Sequence, residues 1–158
     1  MLAPGLAFTS LSPPPSPPPP LLQEQTRLVV ERSGAFLKPN GQLPHHFQGD
    51  QPQYTALSGA TQTGPNTFWV KTALNYARVT GNATWLHNYM PTLRSAANFC
   101  FNLIDGESHM LKAPGSLMID VFVRENFTSD SNAMMVRGRG GWRGDVVRLL
   151  DWNTAGPG

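Results

Sequence analysis

The stretch QTGPNTFWVKTALNYARVTGNATWLHNYMPTLRSAANFCFNLI, residues 62–104, decides the fold. The residues Thr63-Gly64-Pro65 predict the start of a helix, because proline at the first helical position lacks only an N–H that would have no helical partner. Apolar residues then recur at helical spacing, at Trp69, Ala73, Tyr76 and Ala77. Since Thr80-Gly81-Asn82 stops this pattern, the spacing predicts a helix over residues 65–80.

A second helical pattern follows after a short turn. Its apolar residues step by three or four and form one stripe: Leu86, Met90, Leu93, Ala97, Cys100 and Ile104. Pro91 marks a first turn or a kink, because a proline inside a helix removes a hydrogen bond and clashes with the preceding turn. Two helices joined so tightly are expected to lie antiparallel, as an αα-hairpin.

The chain beyond this hairpin changes character. Residues 105–108 read as a turn, and residues 111–123 lack a helical period, with a short extended run at 118–123. A polar cluster at 129–132 then resembles a helix cap and precedes the apolar residues 133–136. The predicted fold is therefore mainly α, with about one αα-hairpin plus the start of the next.

Composition divides the chain into three parts. Residues 1–25 are predicted to be a disordered leader, because PPPSPPPP at 13–20 favours an extended polyproline helix. Residues 26–136 have the patterns of a folded domain. Residues 137–158 are rich in Arg and Gly and oppose the helix begun at 133, since each glycine costs about 1 kcal/mol in a helix relative to alanine. We interpret this tail as disordered or foreign to the domain.

The formal net charge of +2 comes from that tail, where four arginines lie close together. A tail of this kind could bind single-stranded RNA. A nucleic-acid interface normally places basic residues along a folded face with interleaved aromatic residues, so we predict no nucleic-acid partner. No apolar run approaches the roughly 18 residues that a membrane span requires.

Several chemistries are disfavoured by the motifs. The single cysteine, Cys100, excludes an internal disulfide and lies on an apolar stripe, which predicts a buried core position. The neighbouring His45 and His46 lack further ligands at a suitable spacing, so we predict no metal site. We find no Gly-rich phosphate loop, no GxSxG and no CxxC, and we predict no cofactor.

Two sequons, Asn82-Ala83-Thr84 and Asn126-Phe127-Thr128, are compatible with a secretory route. The first dozen residues are mildly apolar but lack a basic start, so they support a signal peptide only weakly. The compartment stays open, with an extracellular location as one possibility.

Aromatic and amide side chains suited to sugars gather at the predicted helix entrances and loops. Aromatic faces can cover the apolar face of a sugar ring, and amides bind its hydroxyl groups. The candidates are Tyr54, Gln62, Asn66, Phe68 and Trp69. For Trp69, at helical spacing, the alternative is a plain core position.

Asp120 is the sharpest candidate for catalysis. Inside the apolar run 117–122 its carboxyl would be partly desolvated, which raises its pKa and suits proton donation near neutral pH. The alternative is a capping or ion-paired aspartate. An inverting glycosidase needs a second carboxylate about 6.5–9.5 Å away. No second member stands out among the available acids, which are Asp50, Asp105, Glu125 and Asp130.

Five segments together resemble the six-hairpin glycosidases, especially the catalytic domains of the glycogen-debranching and processing α-glucosidase type. They are PNGQLPHHF, QPQYTALSG, QTGPNTFWVKTALNYARVTGNATWL, LIDGESHMLKAPGSLMIDVF and TSDSNAMMV. The resemblance implies an (α/α)6 barrel that hydrolyses glycosidic, chiefly α-glucosidic, bonds of an oligosaccharide or glucan with inversion. It further implies that Asp120 is the general acid, and that Gln62, Asn66, Trp69 and Asn132 contact the sugar or shape the site.

A barrel of this kind contains six helical hairpins, whereas this chain supplies about one hairpin and the start of another. The resemblance places the catalytic base in a later hairpin. We therefore expect a partial toroid that is inactive as a truncated chain. The alternative is a non-catalytic helical fragment that binds glycans or proteins.

Overall fold

The computed structural model describes residues 19–113, 115 and 127–136. They form four helices and one two-stranded sheet, and the described part is mainly helical, as predicted. In chain order the elements are α1 Pro20–Gly34, β1 His46–Gln48, β2 Gln51–Gln53, α2 Gly64–Thr80, α3 Ala83–Phe101 and α4 Ser129–Val136. Asp120, Glu125, the extended run at 118–123 and the tail 137–158 lie outside the described residues.

Helices α2 and α3 form the predicted antiparallel hairpin. Tyr76 contacts Trp85 with ring centroids 4.8 Å apart, and Trp69 contacts Tyr89 at 5.9 Å. As the position moves back along α2 it moves forward along α3, so the helices run in opposite directions. The prediction of α2 is confirmed to within one residue, and Pro91 lies inside α3 rather than in its first turn.

The turn between these helices is made by two residues. Gly81 ends α2 in the left-handed conformation, with φ 65°. The side-chain oxygen of Asn82 accepts a hydrogen bond from the backbone N–H of Trp85 at 2.9 Å and so caps α3. Asn82, which the sequence pattern placed at the end of the first helix, is therefore the cap of the second.

The core lies between the hairpin and the segments that cross it. Small residues on the facing sides of α2 and α3, including Ala73, Ala96 and Ala97, are buried and let the two helices approach closely. Cys100 is fully buried among them, which confirms its predicted core position. Burial raises the pKa of the Cys100 thiol to about 12, because the thiolate would be desolvated.

Helix α1 was not predicted, and its first residues fall in the stretch 20–25 that the sequence assigned to the leader. Pro20 occupies the start of the helix, where the missing N–H is tolerated. The Arg27 guanidinium donates hydrogen bonds to Glu24 and Glu31, one turn away on either side. These acidic partners raise the pKa of Arg27. The last proline of the run is thus the first residue of a helix that these ion pairs help to stabilise.

The hairpin holds α1 through its C-terminal turn. The indole N–H of Trp69 donates to the carbonyl oxygen of Val30 at 2.9 Å, and the indole N–H of Trp85 donates to the Glu31 carboxylate at 2.9 Å. The Tyr89 hydroxyl donates to the backbone oxygen of Glu31 at 3.3 Å. Val30 is buried at this contact.

The other side of α1 is apolar and exposed. Two pairs of apolar residues lie about two helical turns apart on this side, and all four are exposed: Leu21, Leu22, Leu28 and Val29. No helix among residues 19–113 and 127–136 is both long and apolar enough to cross a membrane.

Between α1 and α2 the chain forms a β-hairpin that the sequence did not predict. Strands β1 and β2 pair antiparallel with His46 opposite Gln53 and Gln48 opposite Gln51. Arg32 of α1 forms an ion pair with Asp50 of the hairpin turn, at 2.6 Å. After α3 the chain makes the predicted turn at 105–108, and Ile104 then pairs with Leu111 in an isolated antiparallel bridge.

Candidate functional site

The predicted site residue Asn132 lies in α4 and binds the backbone of Leu111. Its side-chain oxygen accepts from the Leu111 N–H at 2.8 Å, and its side-chain nitrogen donates to the Leu111 carbonyl at 3.1 Å. The same nitrogen donates to the Thr128 carbonyl at 3.0 Å, in the residue before α4. Backbone groups thus use the oxygen and both N–H groups of the Asn132 amide, which ties the entrance of α4 to the segment that begins at residue 111 and so shapes the scaffold.

The other predicted amide, Gln62, lies at the entrance of α2 and meets the far end of the same segment. A Cβ placed on Gly115 would lie 2.5 Å from Cγ of Gln62 and 2.6 Å from the carbonyl oxygen of Thr61. Only glycine fits so close an approach. Helix α4 also packs against α2, and the described residues Leu111 and Gly115 lie at the entrances of α4 and α2.

Buried polar atoms that make no hydrogen bond with the described residues lie at both entrances. At α2 they are Nε2 of Gln62 and the hydroxyl of Thr63, and at α4 the hydroxyls of Thr128 and Ser131. All four residues are at least 95% buried. A buried polar group left unpaired costs about 1–3 kcal/mol, so such groups are expected where a polar ligand or bound water is taken up.

These groups suit the hydroxyl groups of a sugar. An amide nitrogen donates, and each hydroxyl can donate as well as accept. The first N–H groups of two helices also point toward their entrances and carry partial positive charge, which favours oxygen atoms with lone pairs. Neutral amide and hydroxyl groups are the kind that hydrogen-bond to a polyhydroxylated molecule, and in this structure all four residues are buried.

Asn66 lies in the core, although the resemblance implies sugar contact. Its side-chain oxygen accepts from the Leu43 N–H at 3.1 Å, and its side-chain nitrogen donates to the carbonyls of Gly41 and Ala96 at 2.7 and 2.9 Å. Because every polar group of its fully buried amide has a protein partner, Asn66 shapes the scaffold.

Trp69 is also a core residue in the structure. It is 7% exposed, its indole N–H is used by Val30, and its ring packs against Tyr89. Trp69 therefore occupies the core position that was given as the alternative to sugar contact, and its indole N–H joins α2 to α1. Its neighbour Phe68 is 47% exposed on the opposite side of α2.

Three of the four acids that could accompany Asp120 have local structural partners. Asp50 pairs with Arg32, and Asp130 accepts from the Ser131 N–H at 2.9 Å in the first turn of α4. Asp105 accepts from the backbone N–H and the hydroxyl of Ser108, both at 2.8 Å, and these bonds lower the pKa of Asp105. The structure thus leaves the second carboxylate of the predicted mechanism unassigned.

The adjacent histidines contact each other through their Nδ1 atoms at 2.9 Å. One ring nitrogen donates and the other accepts in this contact. In the described part of the chain, no group of three or more His, Cys, Asp or Glu side chains could hold a metal ion.

The sequence missed the three hydroxyls at this site. Thr63 was read only as a cap, yet its hydroxyl makes no capping hydrogen bond. Thr128 precedes the polar cluster 129–132 and Ser131 belongs to it, but the sequence pattern did not show that both side chains are buried. The sequence signal was the presence of a hydroxyl residue at each helix entrance.

Comparisons with known proteins give no relative for this chain: no family model, no curated protein and no solved structure matches it.

Proposed function

We propose that this chain is part of a glycoside hydrolase that cleaves α-glucosidic bonds of an oligosaccharide or glucan with inversion. The proposal combines the resemblance of five segments to six-hairpin glycosidases with one structural observation. Gln62, a predicted sugar-site residue, lies at the entrance of α2 beside Gly115, and Asn132 holds the backbone of Leu111 at the entrance of α4.

The chemistry of this site supports the proposal. Nε2 of Gln62 and the buried hydroxyls of Thr63 and Ser131 are neutral hydrogen-bonding groups that have no partner among the described residues. Neutral donors and acceptors suit sugar hydroxyls better than they suit phosphate or carboxylate, which would attract arginine.

Asp120 would act as the general acid and donate a proton to the leaving glycosidic oxygen. Along the chain it lies between Gly115, which touches Gln62, and Thr128, which Asn132 binds. Five residues of extended chain reach about 17 Å, so the link to Gly115 limits its distance from the α2 entrance. The base that activates water would come from another hairpin.

The exposed apolar side of α1 also supports membership in a larger helical barrel. Large apolar patches on a protein surface commonly mark contacts with other elements or proteins. Leu21, Leu22, Leu28 and Val29 would pack against neighbouring helices in a toroid.

The proposal is tested by measuring whether the full-length protein hydrolyses maltooligosaccharides and glucans. Proton NMR of the first product should show the β anomer released from an α-linked substrate. Asp120→Asn should lower kcat by about 10²–10⁴-fold, the usual contribution of a general acid. Asp105→Asn alters an exposed carboxylate held by Ser108 and serves as the matched control.

Unchanged hydrolysis by Asp120→Asn would exclude this residue as the acid. Glycan binding by calorimetry without any hydrolysis would instead favour the alternative of a non-catalytic glycan-binding fragment. The structural observation common to both functions is the polar pair of helix entrances, so Gln62→Ala should weaken binding under either.

A further inference from the structure

We propose that Asn82 is an acceptor for an N-linked glycan. It begins the sequon Asn82-Ala83-Thr84, a pattern that marks a surface position when a chain reaches a glycosylating compartment. The inference is independent of the proposed hydrolase function, since it rests on the α2–α3 turn alone.

The turn presents Asn82 to solvent. All residues from 81 to 84 are exposed, and a Cβ placed on Gly81 would meet no atom within 4 Å. The backbone of Gly81 is left-handed, which reverses the chain within two residues and places the sequon at the exposed start of α3, with Ala83 and Thr84 in its first turn. An enzyme and a bulky sugar can therefore approach this point.

The structural role of Asn82 leaves its reactive atom available. Oδ1 caps α3 by accepting from the Trp85 N–H at 2.9 Å, whereas Nδ2 makes no hydrogen bond with the described residues. Glycosylation modifies Nδ2 and keeps Oδ1 as an amide oxygen. Cap and glycan can therefore coexist on one side chain.

The donor would be a lipid-linked oligosaccharide diphosphate. The bond between Nδ2 and the anomeric carbon forms, and the bond from that carbon to the diphosphate oxygen breaks. Nδ2 loses one proton and the lipid diphosphate departs, so neither an oxidant nor a reductant is required.

The second sequon differs at its hydroxyl residue. Thr128 is 5% exposed, and its carbonyl oxygen accepts from both the backbone and the side-chain nitrogen of Asn132. Thr84, by contrast, is exposed. The transferase must contact the hydroxyl of a sequon. In the folded chain the hydroxyl residue of the Asn82 sequon is therefore accessible, whereas Thr128 of the second sequon is buried.

The test is translation of the full chain behind a cleavable signal, in the presence of microsomes, with an extra sequon appended at the C-terminus to report entry. An amidase then removes the glycans in ¹⁸O water, and mass spectrometry assigns each site from the ¹⁸O-labelled aspartate left on the peptide. We expect Asn82 to carry a glycan. Thr84→Ala should remove one glycan's mobility shift while leaving the Asn82 cap intact.

Two further variants separate modification from folding. Asn82→Asp cannot be glycosylated but keeps a good capping oxygen, so it should lose the glycan and retain the thermal midpoint. Asn82→Ala should lose both the glycan and part of the thermal stability. Chains whose appended sequon is modified while Asn82 stays bare would overturn the proposal.

Discussion

The indole nitrogen of Trp69 lies 2.9 Å from the carbonyl oxygen of Val30 and donates a hydrogen bond to it across 39 residues of chain. The contact joins α2 to α1 at a point where both residues are buried. A helix with an exposed apolar side and an exposed N-terminus is thereby fixed to the αα-hairpin at its C-terminal turn.

Trp69→Phe should destabilise the protein by about 1–3 kcal/mol, because it removes the N–H donor and part of the ring volume. The expected result is a lower midpoint in urea, followed by circular dichroism, with faster hydrogen exchange in α1. Phe68→Leu, next to it on the exposed side of α2, should change the free energy of unfolding by less than about 0.5 kcal/mol. Equal effects of the two variants would contradict the role of this bond.

Asn66→Leu should cost about 2–5 kcal/mol, because it leaves the Leu43 N–H and the carbonyls of Gly41 and Ala96 without their shared partner. Denaturant unfolding measures the loss. Asn75→Leu is the matched control, since Asn75 lies exposed on the same helix and its contact is with Arg78.

Asn66→Asp adds a test with a pH dependence. The introduced carboxylate would be buried and would face two carbonyl oxygens, so its pKa should rise above the unfolded value. The folded state then binds the proton more tightly, and the stability of this variant should increase as pH falls through the folded pKa and level off below the unfolded pKa. A stability that falls with acidification, relative to the unmodified protein, would contradict the assigned hydrogen bonds.

Cys100 should resist alkylation at pH 8 in the folded protein. Burial raises the pKa of its thiol to about 12, so the reactive thiolate is scarce as well as inaccessible. Iodoacetamide labelling followed by mass spectrometry should show modification only after denaturant is added. Thr72→Cys places a second thiol on the exposed side of α2, and that thiol should be labelled at once.

Asp105 should titrate below its ordinary pKa of 3.8, because the Ser108 backbone N–H and then the Ser108 hydroxyl stabilise the carboxylate. Carbon-13 NMR of the side-chain carboxyl measures this pKa directly. Ser108→Ala should return it partway, since the backbone bond remains. The contribution of this turn to stability is present above the unfolded pKa and is lost as pH falls through the lowered folded value.

The sequence predicted the α2–α3 hairpin, the turn after it and the beginning of α4, because each is specified locally by apolar spacing and by Gly or Pro. It failed at α1, where a proline run masked a helix whose stability comes from Trp69, Trp85 and Tyr89 far along the chain. The short β-hairpin was missed because three-residue strands carry too little pattern.

The candidate site divides in the same way. Residue types chosen for sugar chemistry included Gln62, which lies beside Gly115 at the α2 entrance, and Asn132, whose amide binds the backbone of Leu111 and Thr128. They also included Asn66, whose role depends on three backbone groups from separate parts of the chain. An amide in a helix's first turn looks the same in sequence whether it binds a ligand or the protein itself.

By itself the sequence determined the helical hairpin, the buried cysteine and the polar helix entrances, since local propensity and periodicity are sufficient for these. Only the tertiary structure decided that α1 belongs to the fold, that Trp69 and Asn66 serve the core, and that Leu111 and Gly115 lie at the entrances of α4 and α2. The physical reason is that burial and hydrogen-bond partners arise from packing between distant segments, which spacing along the chain does not specify.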